Sequence, residues 1–386
     1  MRQTSILFAL LAVAGCSSPQ RVMTMATPGS TVRVGATQPK SRNVDWRLQD
    51  PAAIGARIEV ILGELEGLVH RAGDAGCDVL AFPEDTLGLG DWELAHPEAS
   101  GQVLPRAVGR MLQRLGAAAA SHHMYLVCSS DTFDAGAVRN TAFFLGRDGR
   151  EIGRYHKVNM PIHELYKKRG DGFPVFPTSD LGTVGMLICY DMVFPESPRC
   201  LALAGADIIF HPTLGGAAIG DRDLSRAAFR TRAVENFVYL VVSERGSGTL
   251  IVSPQGKVLA EGKGPDDIAV ADIDPAWGRS GGDSMNVQDD MRARLFRERS
   301  PAAYGILGEA EPPVLRKIAE VTPVGDAVRM SRAVRTSGDL EFSEATKLQN
   351  DGRRDEAIKA YEGLIVQYPR TWIDSVSRER LAELRK

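Results

Sequence analysis

Three residues that could act together on a carbon–nitrogen bond each end a short apolar run of this 386-residue chain. Cys189 closes the run Val184–Ile188, Glu84 follows Val79-Leu-Ala-Phe-Pro, and Lys157 follows Gly153-Arg-Tyr-His. A thiol at the end of a rigid strand is held in place yet open to a substrate, a sound position for a nucleophile. By itself such a cysteine is more simply a small buried hydrophobe. Attack on an amide or nitrile carbon also requires a means of forming thiolate, a donor for the charge growing on the substrate heteroatom, and a proton for the leaving nitrogen. A carboxylate and an ammonium at strand ends supply those roles, and both are costly to bury unless they pair. Three such ends in one chain favour a reactive site over three solvated termini.

The elements that would carry these residues can be read from hydrophobic spacing. Val32–Ala36 alternates as a first strand, and apolar positions at Ile54, Ile58, Ile61, Leu62, Leu65 and Leu68 mark a helix over 52–73. Further strands are expected at 78–82, 125–129, 182–188, 207–210, 237–243 and 268–273, with helices at 105–120, 198–204 and 224–235. Two hairpins are expected, 140–145 with 151–155 and 249–253 with 257–260. Alternating strands and helices with interspersed hairpins imply a layered α/β domain built on mixed sheets.

Composition narrows the function less than the ends of the chain do. A net charge of −3 argues against a broad nucleic-acid footprint. No metal-spaced cluster, phosphate-cradling glycine loop or dinucleotide fingerprint is present, so no cofactor is implied. Arg2, the apolar core Ile6–Ala14 and the small residues before Cys16 read as a secretory signal. The segment resembles a bacterial lipobox, which implies lipidation of Cys16 and export, to the outer membrane facing the periplasm. Residues 17–30 then form a tether. Cys77 and Cys128 lie beside apolar runs as core residues, whereas Cys189 must remain a free thiol; oxidative pairing with Cys200 would silence it. After the Glu311-Pro-Pro linker (311–335), residues 336–386 resemble one tetratricopeptide-type helix pair with a following helix. Such a repeat cannot bury its apolar face alone and should dock on the main domain, a second copy or a protein partner.

The order Phe-Pro-Glu84, His-Lys157, Ile-Cys189-Tyr-Asp, with the flanks Gly170-Asp-Gly-Phe-Pro, Phe194-Pro-Glu196, Ile208-Ile-Phe-His-Pro212, Arg232-Ala-Val-Glu-Asn236 and Arg299-Ser-Pro-Ala-Ala-Tyr304, resembles the carbon–nitrogen hydrolase family, the nitrilase superfamily, over about residues 31–310. The resemblance implies a four-layer α-β-β-α sandwich with a small all-α C-terminal extension. It casts Glu84 as general base, Cys189 as nucleophile, and Lys157 with the Tyr190 N–H as stabilisers of the tetrahedral intermediate. It suggests Glu164, seven residues after the lysine, as a second glutamate orienting base and substrate. Asp191 is expected to hold the turn rather than react. His156 and His163 flank the lysine, and His122-His123 is expected to be structural. The Cys-Tyr-Asp wording is closer to the amidase and carbamoylase branches than to true nitrilases. The expected reaction is therefore hydrolysis of a small non-peptide amide or carbamoyl group through a thioester. A silent scaffold lipoprotein and an acyltransferase are the alternatives. The family commonly dimerises. The loops 88–99, 161–174 and 214–223 are expected to hold the specificity.

Overall fold

The computed structural model describes residues 30–215, 221–277, 295–318, 323–369 and 372–385. The expected signal sequence and Cys16 lie outside them. Among the described residues no helix is long and apolar enough to cross a membrane.

Twelve strands form two six-stranded mixed sheets. In the first, β1 (Val32–Gln38), β2 (Val79–Ala81) and β3 (Tyr125–Asp134) run parallel. β4 (Ala137–Leu145) and β5 (Glu151–His156) extend one side antiparallel, and the chain returns as β12 (Asp267–Ile273) against β1. The second sheet repeats that plan. β7 (Thr183–Met186), β8 (Ile208–Thr213) and β9 (Tyr239–Glu244) are parallel. β6 (Val175–Pro177) lies on one side, and β10 (Leu250–Val252) and β11 (Val258–Glu261) on the other.

Helices α1 (Pro51–Asp74), the short α2 (Gly90–Ala95) and α3 (Ser100–Ser121) belong to the first sheet's side. Helices α4 (Glu196–Leu203) and α5 (Arg222–Asn236) belong to the second sheet's side. Val34, Val79, Val127 and Phe144 of one sheet meet Met186, Ile208, Val241 and Ile251 of the other in one apolar core. Leu80, Leu126 and Phe143 point the other way, onto the Ile61, Leu65 and Met111 faces of α1 and α3. This is the period-two partition of a sheet buried on both faces. The result is the four-layer α-β-β-α sandwich with a helical extension. Helix α1 starts where Asp50 accepts hydrogen bonds from the Ala52 and Ala53 N–H groups, with Pro51 in its first turn.

Of the boundaries that differ from the sequence reading, three concern how the chain enters or leaves an element near the site. Helix α3 begins at Ser100 and carries Pro105 inside it, where a proline start was expected; one lost N–H bond is tolerated near a helix's beginning. β3 continues to Asp134 and turns into β4 through Ala135 and Gly136, both with positive φ, a hairpin turn whose twist suits its strands. β7 stops at Met186, so Leu187 and Ile188 bridge the strand to Cys189.

The stretch expected as a linker contains a short 3₁₀ turn, Pro313–Lys317, and a full helix, α6 (Val324–Thr336). Helices α7 (Asp339–Asn350), α8 (Arg354–Gln367) and α9 (Trp372–Leu384) follow. They enclose a small core of Ala345, Ala357, Tyr361, Leu364, Ile373 and Leu381, against which Trp46 of the main domain also packs.

Candidate active site

Both sheets deliver their chemistry at the carboxyl ends of their parallel strands, where side chains converge without breaking the ladder. After β2 the backbone turns sharply at Asp85, a non-glycine residue with φ 51°. The turn is stitched to β3 by Thr86 N–H donating to the Ser129 carbonyl at 2.8 Å and by Ser129 Oγ donating to the Pro83 carbonyl at 3.2 Å. Asp85 also accepts from the Leu89 and Gly90 N–H groups, and Arg245 donates to its carbonyl. Glu84 is thereby fixed and turned inward, 2% exposed.

Beyond β5, Lys157 keeps its pairing to β4, its N–H donating to the Asn140 carbonyl at 2.9 Å. Gly170 donates to the Lys157 carbonyl, and a Cβ there would lie 2.1 Å from the His156 carbonyl oxygen, so only glycine allows this approach.

The Lys157 ammonium is fully buried between two carboxylates, 3.1 Å from Glu84 Oε1 and 3.0 Å from Glu164 Oε2. Asn140 Nδ2 donates to Glu84 Oε1 at 2.8 Å, and the Leu214 N–H donates to Oε2 at 3.2 Å. Burial works against the Lys157 charge, but Glu84, Cys189 and Glu164 outweigh it and hold the ammonium's pKa above its ordinary value. Burial likewise opposes ionisation of Glu164, yet Lys157 and then Lys167 hold its carboxyl well below the usual range.

Cys189 follows Ile188 and opens a 3₁₀ turn, Cys189–Val193. Its φ of 45° is left-handed, a strained conformation for a residue with a Cβ, costing about 1–2 kcal/mol. Asp191 maintains that geometry. Its carboxylate accepts from the Ile188 N–H at 3.0 Å, the Asn159 N–H at 2.8 Å and the Tyr155 hydroxyl at 2.7 Å. Asp191 is thus the turn's anchor, as expected. The Tyr190 N–H lies in the first turn of this short helix, where no carbonyl within the helix can reach it. Burial first, then the charge of Glu84, pushes the Cys189 thiol up to about 12; Lys157 and a hydrogen bond with Thr213 counter part of this. The resting sulfur is therefore a thiol that must lose its proton as it attacks.

A cavity of about 40 Å³ adjoins Glu84 and Glu164. Gly90 and Leu94, the segment His163–Lys167, and Leu214 all line it, so each of the three stretches expected to hold specificity contributes. Beside it lies a second buried charged group, absent from the sequence reading. Lys167 Nζ is 2.5 Å from Asp131 Oδ2, and the Tyr166 hydroxyl donates to Glu93 Oε1 at 3.3 Å. Burial, then Asp131, raises the Glu93 pKa well above the usual carboxyl range. Among the described residues, Glu93 Oε2 and Asp131 Oδ1 are buried without a hydrogen-bond partner.

The roles of Asn140, Thr213 and the Leu214 N–H toward Glu84 and Cys189 escaped the sequence reading, which placed Leu214 only in a specificity loop. Each residue lies in or just after an ordinary strand, and nothing local marks it. His163 lines the cavity, while His156 Nδ1 pairs with the Thr141 hydroxyl at 2.9 Å and His122 with His70. Cys77 and Cys128 are core residues; Cys200 is exposed on α4.

The carbon–nitrogen hydrolase family model matches residues 48–280. A deaminated glutathione amidase from Synechocystis sp. (strain PCC 6803) is 28% identical over 239 residues, 55% of this chain and 86% of the relative. A nitrilase from Pyrococcus abyssi is 34% identical over 225 residues, 54% of this chain and 81% of the relative. Among solved structures, an amidase of the nitrilase superfamily from Nesterenkonia AN1 superposes with a TM-score of 0.56 at 22% identity. That match covers 72% of this chain and 98% of the other, a likeness of fold.

Proposed function

The chain belongs to the carbon–nitrogen hydrolase family and is a carbon–nitrogen hydrolase; from that premise we propose that it cleaves a small non-peptide amide or carbamoyl compound through a thioester on Cys189. The observation that carries the proposal is the Lys157 ammonium held between Glu84 and Glu164, with the Cys189 thiol in the electrostatic reach of all three.

In the first step Cys189 Sγ attacks the carbonyl carbon while Glu84 takes the thiol proton. Glu84 has a buried oxygen in this position because Asn140 and the Leu214 N–H orient it. Charge on the carbonyl oxygen meets the Lys157 ammonium and the Tyr190 N–H, donors fixed before the reaction begins. Collapse breaks the C–N bond, and the proton on Glu84 passes to the leaving nitrogen. Water then attacks the thioester with Glu84 as base, and the thiol leaves with that proton. Glu164 pins the Lys157 ammonium from the far side and borders the substrate cavity.

Ammonia release from short aliphatic amides and carbamoyl compounds, compared between the parent and Cys189→Ala, tests this reading. The parent should release ammonia with at least one of them, with an acyl mass adduct on Cys189, and the variant should show neither. Equal rates in both proteins across the panel would overturn it.

Three further features belong to the same proposal. Export with a lipid on Cys16 is supported by the sequence of residues 2–16. It predicts a mature protein that partitions into detergent and a Cys16→Ala variant that does not. Assembly with a second copy is supported by the exposed apolar side chains of Tyr304, Ile306, Leu307, Val314 and Leu315. The tetratricopeptide-like reading of the extension is supported by the helix pair α7–α8 and its tyrosine-centred core.

A further inference from the structure

The first helix of the C-terminal extension packs on two segments of the main domain, α2 and the 3₁₀ turn Ile162–Glu164. These same segments supply Gly90, Leu94, His163 and Glu164 to the substrate cavity. We infer that the extension is a specificity-determining part of the active site, in which α6 braces both segments from outside and so limits the length of acyl group the cavity admits. This rests on the hydrolase reading above.

The brace has a specific point of contact and a second anchor. Ala327 is the buried residue of α6, and its small side chain lets the helix axis approach closely. Five residues on, Arg332 donates to the carbonyl of Ala95 at the end of α2. The rest of the extension is fastened at Arg47. Its guanidinium lies over the Trp46 and Tyr368 rings at 5.5 and 5.1 Å and donates to the Gln367 carbonyl. The loop holding Arg47 also grips α2, because the Trp46 carbonyl takes a hydrogen bond from His96 and the Leu48 carbonyl one from the Trp92 indole. α2 is therefore held from two directions. Across the seam, Tyr166 donates to Glu93, tying α2 to the Glu164 segment. Neither wall can move outward without breaking a contact to the extension.

The cavity so bounded, about 40 Å³, has room for about three waters. A substrate with a short, compact acyl or ureido group fits it, and a longer group that extends toward Gly90, Leu94 or His163 presses on a braced wall.

The test uses the full-length chain with Ala327→Phe, which wedges α6 away, and the milder Arg332→Ala. Val366→Ser, at an exposed position of α8, is the control. Straight-chain primary amides from acetamide to hexanamide are assayed for kcat/KM. Each loosening variant should raise the hexanamide-to-acetamide ratio by about tenfold or more, a change of the size expected for one or two methylenes. The control should keep the parent ratio. An unchanged ratio in both loosening variants overturns the inference. If the parent hydrolyses no amide of the series, the carbamoyl part of the hydrolase reading is left to the ammonia-release panel, and alkylation of Cys189 decides the brace: the folded proteins are labelled with iodoacetamide or N-hexyl iodoacetamide and the modified Cys189 peptide is quantified. The bulky reagent should gain on the small one only in the two loosening variants, and equal ratios in all proteins overturn the brace.

Discussion

Lys157 and Lys167 lie ten residues apart, are both buried, and are both paired to carboxylates, yet their surroundings suit them to different work. Around Lys157 are two carboxyl groups, Glu84 and Glu164, for one ammonium, an unbalanced set in electrostatic reach of Cys189. Around Lys167 the ion pair with Asp131 is one to one, the balanced case, and Glu93, its pKa raised by burial and by Asp131, stands beside it. The difference teaches that burial and an ion pair do not make a catalytic group. The second carboxyl group on the ammonium and its line to the nucleophile do.

The largest expected effect tests the unbalanced side. Glu84→Gln should keep its shape and lose the base, cutting kcat by about 10³-fold or more with the fold intact by circular dichroism. A kcat within a few fold of the parent would break the comparison.

Lys157→Met comes next. It leaves two facing carboxylates without their cation and should cost about 3–5 kcal/mol of unfolding free energy in denaturant titration. A fully stable variant would mean that the two acids tolerate each other without their cation.

Acid should act on the same cluster. The folded Glu164 carboxyl lies below its ordinary value of 4.5, so its contribution to stability is present above that pH and is lost as pH falls toward about 2. The raised Lys157 contribution runs the other way, present below 10.5 and lost only as pH rises through a still higher folded value. The thermal midpoint should therefore fall below pH 4.5 in the parent and fall less steeply in Glu164→Gln. Parallel curves would sink the assignment.

A smaller effect isolates the strain at the nucleophile. Cys189→Gly should be as inactive as Cys189→Ala but more stable by about 0.5–1 kcal/mol, because glycine accepts the left-handed φ. Equal stabilities would remove the strain. The smallest effect belongs to the balanced group, where Glu93→Gln replaces a carboxyl group of raised pKa with a neutral amide. Stability should change by no more than about 1 kcal/mol and activity by no more than about threefold. A loss matching that of Glu84→Gln would show that the two groups are one.

Much of this was legible in order along the chain. The Ile54–Leu68 stripe announces α1, and the apolar runs before Glu84 and Cys189 announce the strands that carry them. Pro105 misled because one proline near a helix start can be absorbed once the following face packs on a sheet. Helix α6 was taken for linker because Glu311-Pro312-Pro313 drew the boundary before it, although Val324, Ala327 and Val328 stand at helical spacing. Its packing on α2 and the Ile162–Glu164 turn shows that it belongs to the folded extension.

By itself the sequence determined which residue types stand at which strand ends, since hydrophobic periodicity and turn chemistry are local. It therefore named Glu84, Lys157 and Cys189 as candidates, and the family resemblance added Glu164. Only the tertiary structure decided that these ends face one another. Asn140 and the Leu214 N–H meet Glu84 across 56 and 130 residues of chain, and no local pattern encodes such a pairing. Tertiary structure also decided that Lys167, of the same residue type as Lys157 and likewise buried, pairs with Asp131 beside Glu93, whose pKa is raised. The physical reason is that a charge is set by everything packed around it, and packing is a property of the whole fold.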